Sequence, residues 1–301
     1  MVTKQDAEQQ TRNAWHADGT LREPLLVTPS GHVQHAGRSI PIYDSGNETT
    51  APTIVLVHGS SGTARGSFWA VYPILSFTRR VVAFDLQLPA DDAELTLADA
   101  VDQLRAVVEH AAADGPVALV GYSFGAVVAA AYASDRPDAL ASLSLVAGWS
   151  KTDRHQLLRN DLWQRLQEDP EALSRYTLLM AYSAGFVVGR NERDWRELQQ
   201  AVASRPFPAQ IMRLNRDIDI ASGLSRIEVP TLVVGCTHDA MVPLHHSRML
   251  FGAVSDARYL EIESGHAVTV ERPAQLAVAI DDFTLDPHEH PAGAIVPVDH
   301  A

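Results

Sequence analysis

The chain is nearly devoid of cysteine, since Cys236 is the only one among its 301 residues. No intramolecular disulfide can form, which fits the reducing cytoplasm. No apolar run approaches the roughly eighteen residues that a membrane-spanning helix requires. The first 22 residues are polar and lack the apolar centre of a secretion signal. These absences predict a cytoplasmic protein without membrane partners.

Basic residues are also scarce, because 24 Lys and Arg face 37 Asp and Glu, which gives a formal net charge of -13. A phosphate backbone would repel such a chain, which excludes nucleic acids and anionic membranes as partners. The apolar fraction of 46% is ordinary for a globular protein, and the length allows one large α/β domain or two modest ones. We therefore expect a protein that acts on a small molecule without a cofactor or metal. The composition leaves open whether the chain forms a homodimer.

Short β-rich runs alternate with longer helical patterns, which indicates an α/β fold with a mostly parallel sheet covered by helices. The predicted strands are 25–28, 39–43, 53–57, 81–84, 117–120, 143–146, 231–234 and 258–262. The first two are placed around a turn at Ala36-Gly37. The predicted helices in this alternating part are 96–113, 126–133, 247–254 and 274–283.

One interval, 149–227, breaks the alternation. It shows helical segments at about 154–167, 171–183, 192–204 and 208–217 and no strand candidate. A simple crossover between parallel strands needs only about a dozen residues. We therefore predict that 149–227 forms a helical cap over a core made of 23–148 and 228–285.

The two ends of the chain, 1–22 and 286–301, lack apolar periodicity and are predicted to be mobile. The spacing of His288-Glu289-His290 suits a solvated tail better than a metal site. His245-His246 also lacks the spacing of a metal site on a helix. Neighbouring acids such as Asp91-Asp92 do not face a common point, so they are interpreted as solvated.

The segment Gly121-Tyr122-Ser123-Phe124-Gly125 lies where an apolar run meets a helix of small residues. A strand that turns sharply into a helix at a serine is a nucleophile elbow, and its glycines remove Cβ atoms that would collide. The turn also directs the first free NH groups of the helix toward whatever the serine attacks. The alternative is a chance motif in a loop. The strand before it and the helix after it favour the elbow.

A serine hydroxyl needs a base within hydrogen-bond reach, and that base needs an orienting carboxylate. Asp239 stands just past the end of a buried strand, and His266 lies in the turn after the last strand. Alone, the aspartate could be a turn former or helix cap and the histidine a core or surface residue. All three in order, each after a strand end, indicate a catalytic set.

The first long buried strand ends in His58-Gly59-Ser60-Ser61-Gly62. Acyl transfer places negative charge on a carbonyl oxygen, which two NH groups can stabilise. We predict that Ser60 and Phe124 supply these donors, against the alternative of an ordinary glycine-rich turn. His58 is expected to brace the loop and to point away from the serine.

These segments resemble the α/β-hydrolase superfamily, in its cap-bearing branch of enol-lactone hydrolases, carboxylesterases, perhydrolase-type enzymes and carbon–carbon bond hydrolases. The resemblance rests on residues 58–62, 121–125, 239–243, 265–266 and 271–273 and extends from 39 to 283. It implies a mostly parallel eight-stranded sheet with a helical cap after strand 6.

The same resemblance implies roles for single residues. Ser123 would be the nucleophile, His266 the general base and then acid, and Asp239 the orienting carboxylate. Ser60 and Phe124 would be the oxyanion-hole donors. Serine at 123 excludes haloalkane dehalogenases and epoxide hydrolases, which carry aspartate there. The substrate pocket is predicted to include His58, Ser61, Trp149 and Met241.

Two segments depart from the pattern of the relatives. The loop 85–92 has no glycine where many relatives read Asp-x-x-Gly-x-Gly. Ser60-Ser61 also replaces the all-glycine oxyanion loop that is common in some carbon–carbon bond hydrolases. The sequence predicts a serine hydrolase of a small carboxylic ester, lactone or thioester, acting through an acyl-enzyme. Open alternatives are an acyltransferase, cyclase or chain-releasing thioesterase with the same residues, a carbon–carbon bond hydrolase, and a binding or scaffold protein.

Overall fold

The computed structural model describes residues 25–47, 49–90, 93–135, 139–204 and 207–297. The predicted mobile segment 1–22 and the pair Asp91-Asp92 lie outside this part of the chain. Eight strands form one sheet in the order β1-β2-β4-β3-β5-β6-β7-β8. The strands are β1 (Gly31–His35), β2 (Arg38–Asp44), β3 (Ile54–Val57), β4 (Val81–Phe84), β5 (Val117–Tyr122), β6 (Leu140–Val146), β7 (Thr231–Cys236) and β8 (Ala257–Ile262).

The sheet is mostly parallel, as predicted. β2 runs antiparallel to β1 and β4, and every other neighbouring pair is parallel. The chain crosses from β3 to β4 on one side and then to β5 on the other, so the strand order reverses beside β3. In open α/β sheets such a reversal opens a crevice at the carboxyl ends of the strands, where ligands bind.

The predicted first strand, 25–28, is wrong. The chain turns there and buries Leu26 at a φ of 61°. β1 lies later because the two-residue turn at Ala36 and Gly37, both with positive φ, pairs His35 directly with Arg38. A tight hairpin turn requires its first strand immediately before it.

Helices cover both faces of the sheet, and alternate residues of each central strand face opposite cores. Val55 and Val57 belong to one buried cluster, and Ile54 and Leu56 belong to the other. The helices outside the interval between β6 and β7 are α1 (Ala64–Phe68), α2 (Tyr72–Leu75), α3 (Leu97–Ala111), α4 (Phe124–Asp135), α10 (His245–Ala253), α11 (Val268–Glu271) and α12 (Pro273–Leu285). No described helix has both the length and the apolar composition needed to cross a bilayer.

Between β6 and β7 the described residues form helices and turns, apart from an isolated bridge between Lys151 and Asp219. We call the five α-helices of this interval the inserted helices. They are α5 (Arg154–Arg165), α6 (Pro170–Ala181), α7 (Ala184–Val188), α8 (Glu192–Ala203) and α9 (Ala209–Leu214), and a 3₁₀ helix (Ala221–Arg226) follows them. Trp163, Leu173 and Met212 form a small buried cluster of their own among them.

Within the carboxyl-terminal segment, which is predicted to be mobile, residues 290–296 hydrogen-bond to β8. The Val296 NH donates to the Tyr259 carbonyl at 2.7 Å, and the Tyr259 NH donates to Ala294 at 2.9 Å. The Arg258 guanidinium donates to the His290 carbonyl at 2.7 Å. β8 is the last strand of the sheet, so its outer backbone groups need partners, and the tail supplies them.

Candidate active site

Ser123 occupies the turn between β5 and α4. Its φ of 56° lies in the left-handed region that non-glycine residues rarely adopt. A Cβ atom at Gly121 would collide with the backbone of Gly125, and one at Gly125 would collide with the Val57 carbonyl. Both glycines are therefore required by close backbone packing, and the turn holds Ser123 in a strained conformation of the kind found at functional sites.

A continuous hydrogen-bonded chain joins three buried side chains at the carboxyl edge of the sheet. Ser123 Oγ lies 2.8 Å from His266 Nε2, and His266 Nδ1 lies 2.7 Å from Asp239 Oδ2. The three residues follow β5, β8 and β7, whose carboxyl ends lie at the same edge of the sheet with β6 between β5 and β7. The structure thus unites three residues that lie far apart in sequence and that the motifs had singled out.

The carboxylate of Asp239 is held from its other side by the loop that follows it. Its Oδ1 accepts hydrogen bonds from the Met241 NH at 2.8 Å and the Val242 NH at 2.7 Å. Oδ2 is left to accept from His266 Nδ1-H, which leaves Nε2 as an acceptor for the Ser123 hydroxyl. The arrangement suits transfer of a proton from the hydroxyl to the imidazole.

Two further groups fix the loop that carries His266. The Tyr122 hydroxyl donates to the His266 carbonyl at 2.9 Å, and burial raises the pKa of this tyrosine well above its usual value, so it stays a neutral donor. The buried Glu271 carboxylate accepts from the Gly265 NH at 3.1 Å. It also accepts from the NH and hydroxyl of Ser183 at 2.8 and 2.6 Å. Glu271 therefore ties the histidine loop to the start of α7.

The two predicted NH donors lie close to Ser123, one at the start of the helix that follows it and one in the loop after β3. Phe124 is the first residue of α4, so its NH has no acceptor within the helix. Ser60 follows β3, the neighbour of β5, and lines the same cavity as Ser123. The Asn215 amide donates to the Ser60 hydroxyl at 2.9 Å, so an inserted residue also holds this loop.

His58 braces the loops as expected but does not line the cavity, which corrects its place among the predicted pocket residues. Its Nδ1 lies 2.8 Å from the Gly59 carbonyl, and its Nε2 accepts from the Leu86 NH at 3.0 Å. Burial lowers the pKa of His58, so the ring is neutral. Because both ring nitrogens of His58 are bonded to backbone groups, this neutral side chain connects the ends of β3 and β4.

A cavity of about 960 Å³ opens beside Ser123 and His266. The predicted pocket residues Ser61, Trp149 and Met241 line it. The inserted region closes it from the other side with Arg159, Thr177, Ala181, Leu198, Met212 and Asn215. Such a mixture of apolar walls and a few polar groups suits a small organic ligand.

The sequence interpretation missed Arg159, Asn215 and Glu271. Arg159 and Asn215 lie in the helical interval without any motif around them, and their role at the cavity depends on how the inserted helices pack. Glu271 belongs to the segment 271–273 that carries part of the resemblance, but nothing in the sequence links it to Ser183. The only available signal was that Glu271 follows His266 closely.

One group of side chains within the described residues could hold a metal ion. The ligand atoms of Asp153, His245 and His246 lie within 4.8 Å of one another. His245 Nε2 and His246 Nε2 lie 3.1 and 3.3 Å from Asp153 Oδ2, although the His246 contact lacks hydrogen-bond geometry. Burial, the largest cause, lowers the pKa of His246 to about 4, so this ring is neutral. None of the three lines the cavity beside Ser123.

Comparisons with known proteins agree with this architecture. The sequence model of the Alpha/beta hydrolase family matches residues 54–279. The chain is 30% identical over 243 residues to the pyrrolizixenacetamide deacetylase of Xenorhabdus hominickii, an alignment that covers 78% of this chain and 91% of that protein.

Two solved structures share the fold at lower identity. An alpha/beta hydrolase enzyme from a Medee basin deep-sea metagenome library has a TM-score of 0.72 and 21% identity, covering 83% of this chain and 95% of its own. The enol-lactonase from Burkholderia xenovorans LB400 has a TM-score of 0.70 and 19% identity, covering 83% and 98%. At these identities the two structures support the fold alone.

Proposed function

The chain belongs to the alpha/beta hydrolase family, and on that premise we propose that it is a serine hydrolase of small carboxylic esters, lactones or thioesters. The observation that carries the proposal is the buried hydrogen-bonded chain from Ser123 through His266 to Asp239. The strained turn at Ser123 and the cavity beside it support the same conclusion. Every group that this chemistry needs is a side chain or backbone amide of the protein.

The reaction begins when Ser123 Oγ attacks the carbonyl carbon and its proton passes to His266 Nε2. Asp239 stabilises the imidazolium that forms. His266 then gives the proton to the leaving alcohol or thiol, which leaves an acyl group on Ser123. Water that loses a proton to His266 attacks this acyl group, His266 returns the proton to Ser123 Oγ as the bond to the acyl group breaks, and the acid is released.

The NH groups of Ser60 and Phe124 are proposed to bind the oxygen that becomes negative in both steps. Donors of this kind are worth roughly 3 kcal/mol of barrier each, because they are already oriented before charge develops. The hydrogen bond from Asn215 to the Ser60 side chain supports this role by fixing the loop. The inserted helices are proposed to act as a cap that shapes the cavity and limits access of water.

Two related activities would use the same residues. A substrate alcohol, amine or thiol could replace water as the acceptor, which would make the protein an acyltransferase, a cyclase or a chain-releasing thioesterase. Amide deacetylation is favoured by one specific observation, the 30% identity to a protein named as a deacetylase. Product analysis with a p-nitrophenyl acetate and acetanilide pair, with and without added amine, separates these outcomes.

The test of the proposal is hydrolysis of p-nitrophenyl butyrate by the Ser123→Ala variant. We expect kcat/KM to fall by about a million-fold, because the nucleophile and its base act as a unit. Ser204→Ala, at an exposed position on the inserted region, serves as the control and should retain wild-type activity. Near wild-type turnover by Ser123→Ala, with an unchanged thermal unfolding curve, would overturn the proposal.

A further inference from the structure

The cavity beside Ser123 holds a positive charge that no described side chain of the protein pairs with. Arg159 lines this cavity together with Ser123 and His266. Its Nε atom is enclosed and makes no hydrogen bond within the described part of the chain. The position of the residue is nevertheless well fixed, because its carbonyl accepts from the Tyr176 hydroxyl at 2.8 Å.

Asp44, the one carboxylate among the described residues that lines the cavity, pairs with Arg80 at 2.8 Å. The two carboxylates behind the His266 loop also have other partners. Asp239 is occupied by His266 and by two backbone NH groups. Glu271 is occupied by Ser183 and Gly265. Among the described residues, no carboxylate oxygen lies within ion-pair distance of the Arg159 guanidinium.

Other arginines on the inserted helices either pair with a carboxylate or are exposed to solvent. Arg175 pairs with Glu171 at 2.6 Å, and Arg193 pairs with Glu197 at 3.0 Å. Arg165, near the end of the same helix as Arg159, is exposed to solvent. Arg159 differs because it lines the cavity and has no ion-pair partner among the residues that the structure describes.

An unpaired guanidinium in a partly apolar cavity is unfavourable unless a ligand compensates it. Burial lowers the pKa of Arg159 from its ordinary value, yet arginine keeps its proton in proteins. The result is a local positive charge in a chain whose net charge is -13. A structural arginine would not need this arrangement, whereas one that binds an anion would.

We propose that Arg159 binds a carboxylate of the substrate, so that this hydrolase acts on small acyl compounds with an anionic end. The proposal rests on the hydrolase function proposed above. A carboxylate fits better than a phosphate because one guanidinium neutralises one charge and offers its NH groups in a planar fork. The other arginine that lines the cavity, Arg65, is exposed, so a dianion would be only half compensated.

The test compares esters that differ only in this charge. On the acyl side, the p-nitrophenyl monoester of adipic acid is compared with its methyl-capped diester. On the leaving-group side, 4-acetoxybenzoate is compared with its methyl ester. Each rate is divided by the rate of spontaneous hydrolysis, and the wild-type enzyme should prefer the anionic member of at least one pair.

Substitution of Arg159 then tests whether this residue causes the preference for the anionic ester. Arg159→Gln should lower kcat/KM for the preferred anionic ester by about 10- to 100-fold, the range of a charge-assisted hydrogen bond, and change the neutral ester less than about 3-fold. Arg159→Lys should restore part of the loss. Arg165→Gln is the matched control on the same helix and should leave both rates unchanged.

The outcomes separate this inference from the function on which it rests. If the neutral esters are hydrolysed in a Ser123-dependent way but neither pair shows a preference for charge, the carboxylate assignment is wrong and the hydrolase proposal stands. If Arg159→Gln lowers kcat/KM equally for both members of a pair, the carboxylate assignment is also wrong, because a purely structural role of Arg159 would give that result. If hydrolysis of every ester survives in Ser123→Ala, the hydrolase proposal itself fails.

Discussion

A single backbone angle sets the geometry of the candidate site. Ser123 adopts a left-handed conformation with a φ of 56°, which lifts its side chain toward His266. A residue in this region costs of order 1–3 kcal/mol, so the surroundings must hold it in place. The glycines at 121 and 125 do so by letting β5, α4 and the end of β3 pack closely.

Gly125→Ala should therefore be strongly destabilising. Its new Cβ would press on the carbonyl of Val57, a backbone group of a buried strand that has no room to move. We expect a loss of about 3 kcal/mol or more in the free energy of unfolding, or failure to fold. Urea unfolding followed by circular dichroism measures the change.

Gly252→Ala provides the matched control for this prediction. Gly252 lies in α10 with nothing within 4 Å of the added Cβ, so alanine should keep stability or raise it by up to about 1 kcal/mol. A Gly125→Ala protein with wild-type stability and ester hydrolysis would show that close packing does not maintain the turn.

The elements of the fold meet at one edge. The loops after β5, β7 and β8 bring the three hydrogen-bonded side chains together, and the loop after β3 adds Ser60. Glu271 connects this edge to the inserted helices, because its carboxylate accepts from both Gly265 and Ser183. The Ala267 NH strengthens the link with a hydrogen bond to the Ala181 carbonyl at 2.8 Å.

Glu271→Gln should loosen this connection. The amide oxygen can still accept from the two NH donors at the Oε1 position, but the NH₂ group then faces the Ser183 hydroxyl, which must turn from donor to acceptor. The negative charge that strengthens these buried hydrogen bonds is also lost. We expect the free energy of unfolding to fall by about 1–3 kcal/mol. The kcat for a neutral p-nitrophenyl ester should fall by about 10-fold with less change in KM, because His266 would be less well positioned.

Glu263→Gln is the control from the same loop, since Glu263 is exposed, and its effect should stay within about 0.5 kcal/mol. If Glu271→Gln destabilises the protein but leaves kcat unchanged, Glu271 has a structural role alone. If neither stability nor kcat changes, the link between the histidine loop and the inserted helices does not matter to the enzyme.

Across the whole molecule, the sequence predicted best what depends on local patterns. Strands buried on both faces appear as β-branched apolar runs, so the parallel core from β3 to β8 could be recognised. Gly31–His35 is short and half-exposed, and the apolar residues in 25–28 favour an earlier first strand instead. The docking of residues 290–296 could not be predicted, because it rests on bonds from β8 to the backbone of this segment.

The candidate site divides in the same way. Ser123, Asp239 and His266 each follow a strand, so the topology alone brings them to one edge. Arg159 and Asn215 reach the cavity only through the packing of the inserted helices, which no motif records. The features that concern the type of reaction were therefore visible in sequence, and those that concern the substrate were not.

The central claim is that Ser123 is an activated nucleophile, and covalent labelling tests it most directly. The purified chain is treated with a fluorophosphonate, and intact-mass and peptide mass spectrometry locate the adduct. The account predicts one adduct per chain, on the peptide that contains Ser123, with none in Ser123→Ala and strongly slowed labelling in His266→Gln. No adduct on the folded wild-type protein, or an adduct on another residue, would contradict it.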